Sequence, residues 1–275
     1  MRFLWILIFL TAAAGCGPVR EEPSSETKWL TGAGPSRGHE DLTRLGVDRA
    51  NDALESRLGY RPYPSVAKGV AGVDTGNFMV KGNYESDFPS NKMYEFHDVS
   101  SSVDWHNDGR LQHIHSLRDY PDGTPLGLRL ACESTRRNII RAAQQALESF
   151  QAGQTEDGRY WLGHATHVIQ DSFSHAHASR AGDGRHTIVD LCVYGTDAPG
   201  ICKHEAVDMR DRIWKTSLAC QTDPNNRGLS CMKSEAQDAV SATAAFLVNA
   251  GEAIFTGGVL DTSLQEYFDC ESLAE

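Results

Sequence analysis

The sequence contains no run of lysine or arginine, no Cys-x2-Cys pair, no repeat of fixed period and little strand-like alternation. Each absence excludes something. Without a basic stripe there is no track for a phosphate backbone, and a net charge of −11, from 37 acidic against 26 basic residues, argues further against tight nucleic-acid binding. That acidity does not exclude an anionic substrate, because clustered divalent cations reverse the local sign. Without Cys-x2-Cys spacing the cysteines do not read as a zinc finger. Without a repeat period the chain is not a solenoid, and without alternation an extended sheet falls away, leaving helices as the main material.

What is present begins with Arg2 and an apolar run from Phe3 to Leu10, too short to span a bilayer and read as a cleaved export signal over residues 1–15. Ala13-Ala14-Gly15-Cys16 resembles a bacterial lipobox, so Cys16 is expected to be the lipidated first residue of the mature chain. Ordinary cleavage near Gly15, leaving a soluble secreted protein, is the alternative. Residues 16–36, polar and rich in Pro, Ser, Gly and Glu, then form a tether. Gly17 is not the Asp that often retains lipoproteins in the inner membrane. The expected location is therefore the outer membrane or cell surface, otherwise the periplasm or the medium. Setting Cys16 aside leaves Cys132, Cys192, Cys202, Cys220, Cys231 and Cys270, an even set suited to disulfides in an oxidising compartment. Cys192–Cys202 and Cys220–Cys231 would close short loops, and Cys132–Cys270 would tie a mid-chain helix to the C-terminus; other connectivities stay open.

Over residues 37–275 the spacing predicts one helical domain. Leu42, Leu45, Val47, Ala50 and Leu54 give a helix from 38 to about 58. Pro62, Pro64, Pro89 and several glycines break up residues 59–90, read as loops and short turns. A short helix or turn is expected at 91–97, a long helix from Pro125 to about Phe150, and a central helix opening at Thr155-Glu156-Asp157. The β-branched stretch 187–194 suggests a short strand, and helices follow at 204–219 and 234–255. The expected architecture is an all-α multi-helix bundle with long loops and a possible short strand pair.

The central helix carries the chemistry. His167, Asp171 and His177 read H-x3-D-x5-H. Residues four apart share a helix face, so His167 and Asp171 can grip one cation, as imidazole and carboxylate do for zinc. His204 and Asp208 form a second four-apart pair, preferred over His186 and Asp190 because those fall in a strand-like run where such spacing does not bring side chains together. Asp87 (with Glu85 as competitor), His97 and His39 are outlying candidates, and His175 is a neighbour that offers an alternative spacing. His113 and His115 read as solvated histidines, and Asp119, Asp122 and Asp183 as solvated turns without a full calcium-loop pattern. Trp105, Trp161 and Trp214 are candidates to stack on a ligand, though Trp161 and Trp214 fall in helical stripes and fit the core.

The order of these residues resembles that of the zinc-dependent phospholipase C and fungal single-strand nuclease superfamily. That resemblance covers residues from about 38 to 208. It implies a mostly helical fold with two or three Zn2+ ions in a cleft, and as metal ligands His39, Asp87, His97, His167, Asp171, His177, His204 and Asp208. Asp87, His97, His167 and Asp171 would hold one zinc; His177, His204 and Asp208 a second; Asp171 would reach a third with His39. It also makes Asp87 the catalytic carboxylate that helps deprotonate the attacking water. The implied activity is hydrolysis of phosphodiesters, phospholipase C-like, with a phospholipid as partner and the membrane reached through the lipid anchor. A single-strand nuclease and a non-catalytic surface protein that keeps the zinc scaffold are the alternatives.

Overall fold

The computed structural model describes residues 38–66, 76–100, 105, 108–118, 124–181, 187–194, 203–204, 213–215, 220, 228–261, 264, 267–270 and 273. The expected signal segment, Cys16, the tether, Cys202, His186 and Asp208 lie outside them. The described residues are mostly helical, as expected.

Helix boundaries follow from local chemistry. Helix α1 (Gly38–Leu58) has Glu40 and Asp41 in its first turn and Arg57 in its last, which opposes the macrodipole, and Gly59 ends it at φ +78°. Helix α2 (Phe78–Asp87) is capped by the Asn77 side chain, which accepts from the Met79 and Val80 amides. Helix α3 (Asn91–His97) follows, and then a 3₁₀ turn (Gly109–His115) capped by Asp108. Helix α4 (Pro125–Gln151) starts with a Thr124 cap and Pro at its first turn. Helix α5 (Thr155–Asp171) and helix α6 (Ser234–Thr256) complete the bundle. By length and composition α6 could cross a membrane, but 56% of its most apolar window is buried, and it packs along α1 as a core helix.

Two short pairings flank the helices. Strand β1 (Ala178–Arg180) runs antiparallel to β2 (Ile188–Leu191), and β3 (Val193–Tyr194) parallel to β4 (Lys203–His204). The strand expected at 187–194 is therefore present, as β2 and β3.

Two expectations fail. Residues 59–90 are not all loop, because α2 stands at 78–87. Its prolines lie outside the helix, and its glycine serves packing rather than a turn. Nor is 204–219 helical where it is described. His204 is in β4, and the backbone at 213–215 pairs with 231–233, Lys215 N–H donating to Cys231 O at 2.8 Å and Lys233 N–H to Ile213 O at 2.8 Å. The Cys220–Cys231 disulfide ties the end of this stretch to the segment that pairs with 213–215. Cys132–Cys270 forms too, and Cys192 is disulfide-bonded to a partner outside the described residues. These bonds fit an oxidising compartment.

Helix α5 is the axis of the bundle. Every residue from Tyr160 to Asp171 is buried, with α2, α4, α1 and α6 packed around it. Its approach to α2 is backbone on backbone. A Cβ on Gly82 would stand 1.9 Å from Tyr160 O, and one on Gly163 would stand 2.0 Å from Met79 O. Trp161 and Trp214 are core residues, as expected, and Trp105 is fully buried with its Nε1–H donating to Ser86 O at 2.8 Å.

Candidate metal centre

A helix buried on all sides can carry polar residues only if they satisfy one another. Those of α5 do so in two tiers. The inner tier is a network of neutral groups. Gln170 Nε2–H2 donates to Thr43 Oγ1 at 3.0 Å and to Thr243 Oγ1 at 3.4 Å, while its Oε1 accepts from Asn83 Nδ2 at 3.1 Å and faces His39 Nδ1 at 2.8 Å. Asn83 Nδ2 also donates to Thr43 Oγ1 at 3.2 Å, which leaves Asn83 Oδ1 to face His167 Nδ1 at 3.4 Å.

This tier sets the tautomers of the outer one. With a carbonyl oxygen at each Nδ1, His39 and His167 carry their protons there when neutral, and each directs an Nε2 lone pair outward. Pairs four apart on two packed helices, Asn83 with Asp87 and His167 with Asp171, place an amide and a carboxylate at the two ends of the His167 ring.

In the outer tier four donor atoms converge. His167 Nε2 lies 3.0 Å from Asp171 Oδ2, 3.4 Å from Asp87 Oδ1 and 3.3 Å from His115 Nδ1. His115 Nδ1 lies 3.3 Å from Asp171 Oδ2 and 3.7 Å from Asp87 Oδ1. The ligand atoms of Asp87, His115 and His167 lie within 4.8 Å of one another, as do those of His39, His167 and Asp171, so two candidate metal positions share His167. The other oxygen of Asp171 faces a second group, with His39 Nε2 at 3.2 Å and His177 Nδ1 at 3.1 Å. Asp171 thus stands between two imidazole sets, one on each carboxylate oxygen. Imidazoles and carboxylates grouped in this way could hold a metal ion once any imidazolium proton is displaced.

His39, Asp87, His167, Asp171 and His177 come together among the described residues. His97 does not join them. Its Nε2 is 3.1 Å from His164 Nε2, and His164 Nδ1 faces Ser86 Oγ at 2.7 Å. Ser86 Oγ donates to Gly82 O, so His164 donates to serine through Nδ1 and accepts from His97 through Nε2. His115 meets His167, Asp87 and Asp171 instead. The expectation of a solvated His115 is corrected: it is buried, carried inward by the 3₁₀ turn, while its neighbour His113 is partly buried. Glu85 turns away from the site and accepts from Tyr160 Oη at 2.5 Å. His175 is half exposed and reaches Glu235 at 3.5 Å. His204 is described only as part of β4, and Asp190, in β2, pairs with Arg118 at 3.8 Å.

Charge separates the histidines into two classes. Burial disfavours the His39 imidazolium, yet the hydrogen bond and charge of Asp171, with Asp87 behind it, outweigh burial and raise His39 to about 9. Burial likewise opposes the Asp171 carboxylate, but His167, His177 and His115 hold it well below the usual carboxylate range. Elsewhere burial prevails: with His113 and Arg141 adding to it, His97 falls to about 3, His164 falls well below 6.5, and even beside Asp171 and Asp87 His167 stays lowered. Beside His39, burial pushes the Glu40 carboxyl up to about 7, against a pull downward from its own backbone amide and His39.

A pH dependence of two opposite signs follows. A histidine whose folded pKa exceeds the unfolded 6.5 stabilises the cation-free protein fully below pH 6.5 and loses that contribution as pH rises through about 9. A cation can enter only by displacing that proton, so affinity rises over the same window. The metal-free melting temperature is expected to fall between pH 7 and 9 while zinc affinity climbs, with proton release seen by calorimetry in buffers of different ionisation enthalpy. Zinc binding that ignores pH in this window excludes His39 as a ligand.

Comparison of the chain with protein-family models, curated proteins and solved structures finds no match.

Proposed function

We propose that this chain is a metal-dependent hydrolase of phosphodiesters, phospholipase C-like, built on a zinc cluster of two or three ions. The observation that carries the reading is the Asp171 carboxylate shared between two imidazole sets, with Asp87 beside His115 and His167 on one side. Zinc bound there supplies polarisation of a phosphoryl oxygen and a water acidified towards neutrality. The protein residues supply the rest. His115, His167, Asp87 and Asp171 hold one position, and His39 and His177 approach the other from Asp171 Oδ1. Asp87 has 23% of its side chain exposed, against 1% for Asp171 and 0% for His167. It is therefore the carboxylate best placed to take a proton from a water at the mouth of the site. His204 and Asp208 remain the assigned partners of His177 for a further ion.

The lipid anchor expected at Cys16 and the acidic composition favour a phospholipid over single-stranded nucleic acid. The near-complete burial of the other ligands supports the second reading, a surface protein that uses zinc to brace its fold.

Zinc content and turnover separate these readings. The soluble domain is expected to retain two or more zinc ions through dialysis, to hydrolyse a phosphatidylcholine reporter, and to lose activity with chelator and regain it with zinc. Hydrolysis of single-stranded DNA alone would transfer the assignment to the nuclease. Zinc retained with activity on neither substrate would support the brace, and folded protein that holds no zinc would end the metal reading.

A further inference from the structure

Helix α4 carries its charges in an order that helix stability does not explain. It has no acidic residue in its first turn and no basic residue in its last, where α1 has both. Residues 126–141 hold four arginines and one glutamate, in a chain where acidic residues outnumber basic ones by 37 to 26. Arg129 and Arg137 share that glutamate, Glu133, at 3.8 and 3.6 Å, while Arg141 donates to Phe96 O and lies 4.0 Å from the centre of the Phe96 ring. The face therefore keeps a net positive charge. The sequence shows no basic run because the helix, not the chain order, collects these side chains.

Leu126, Leu130, Arg137 and Arg141 turn to one side of α4 over about 22 Å, and all four are exposed. The leucines, 56% and 49% exposed, are one helical turn apart. One leucine in water is ordinary, but two stacked beside arginines make an amphipathic face directed at solvent. Its place in the fold matters. Residues 152–154 join α4 to α5, and a Cβ on Gly158 would meet the Phe150 ring, so the two helices run antiparallel from that end. Counted at about 1.5 Å per residue, Leu130 lies about 10 Å beyond the level of Asp171, and Leu126 further still. The leucine end thus overhangs the end of α5 that carries the metal ligands.

We propose that this face docks on an anionic phospholipid bilayer, with Leu126 and Leu130 entering the acyl boundary and Arg129, Arg137 and Arg141 meeting headgroup phosphates. Guanidinium suits that role, because its planar fork binds phosphate bidentately and its stem covers apolar surface. Leucines rather than aromatic side chains at the tip favour lipid over single-stranded nucleic acid, whose bases stack on aromatic rings. The surface uses none of the metal ligands and does not need them. Together with the phospholipid reading above, it sets the ligand-bearing end of α5 toward the bilayer.

Sedimentation with vesicles tests this, using residues 16–275 with Cys16→Ser so that no acyl chain can attach, in chelator so that no zinc takes part. This protein is expected to bind phosphatidylcholine vesicles that contain phosphatidylglycerol, to bind pure phosphatidylcholine at least about 10-fold more weakly, and to be released by salt. Arg137→Gln with Arg141→Gln is expected to weaken binding at least about 10-fold, and so is Leu126→Ser with Leu130→Ser. Arg57→Gln with Arg61→Gln removes the same charge from exposed positions off this face and is expected to change binding little. Equal loss in the two arginine pairs would overturn the proposal, because net charge alone would then explain it. So would equal binding to both vesicle types, binding to neither, or capture by single-stranded DNA in preference to vesicles. Since chelator is present throughout, such a failure leaves the zinc reading intact, and failure to hold zinc leaves the docking face intact.

Discussion

Replacing Asp171 with Asn is expected to empty both metal positions at once. One carboxylate serves both: Oδ2 faces His167 and His115, and Oδ1 faces His39 and His177. An amide keeps the shape but loses the charge, and its nitrogen cannot donate a lone pair. Each position therefore loses an anionic ligand, and zinc affinity is expected to fall by about 100-fold or more at both. The metal-free protein also suffers. Asp171 is what keeps the imidazolium of His39 tolerable in a buried place, so its removal strips the compensating charge, a change that costs about 3 kcal/mol in comparable buried pairs. Single-position variants behave differently. Asp87→Asn is expected to weaken only the Oδ2 side, and His39→Gln only the Oδ1 side. Zinc stoichiometry by mass spectrometry under native conditions, read beside urea unfolding, separates these outcomes. An Asp171→Asn protein that still holds its full zinc would refute the shared carboxylate.

The parts of this site that the sequence makes visible are those set by helical spacing. His167 and Asp171 share a face because they are four apart, and nothing beyond the helix is needed to see it. His39, Asp87 and His177 follow from resemblance in order. His115 did not, because its place depends on how a 3₁₀ turn folds back onto α5, and neither its spacing nor its composition distinguishes it from a histidine in a polar loop. His97 looked equivalent by order, yet α3 delivers it to His164. The inner tier was hidden for a related reason. Asn83 stands four before Asp87, the same interval as His167 to Asp171, but that signal carries meaning only once residues 78–87 are known to be helical. Gly82 is one of the glycines of 59–90 that read as breakers in the sequence, and in the fold it lets α2 lie against α5. The masking effect of glycine is general: it marks a turn and a close helix contact with the same letter.

That contact supplies the second large effect. Gly82 faces the Tyr160 backbone of α5 and Gly163 the Met79 backbone of α2, where a Cβ would stand 1.9 Å from Tyr160 O and 2.0 Å from Met79 O. The obstacle in each case is backbone, which cannot rotate aside as a side chain can. Gly163→Ala must therefore push the helices apart by about 1 Å, and overpacking of this kind costs on the order of 3 kcal/mol when the neighbour is rigid. The helix propensity gained by alanine, about 1 kcal/mol, does not offset it. The consequence reaches the site directly, because α2 carries Asn83 and Asp87 while α5 carries His167 and Asp171. Widening the gap draws Asn83 Oδ1 from its 3.4 Å position at His167 Nδ1 and Asp87 Oδ1 from its 3.4 Å position at His167 Nε2, so any Gly163→Ala protein that folds is expected to bind zinc more weakly as well. Gly228→Ala serves as the control, since a Cβ there meets nothing within 4 Å and stability should be nearly unchanged. Urea unfolding of the metal-free proteins measures the first effect and zinc titration of the folded fraction the second. Equal stability of Gly163→Ala and Gly228→Ala would mean that α2 and α5 do not meet through their glycines, and the placement of Asp87 beside His167 would fall with that contact.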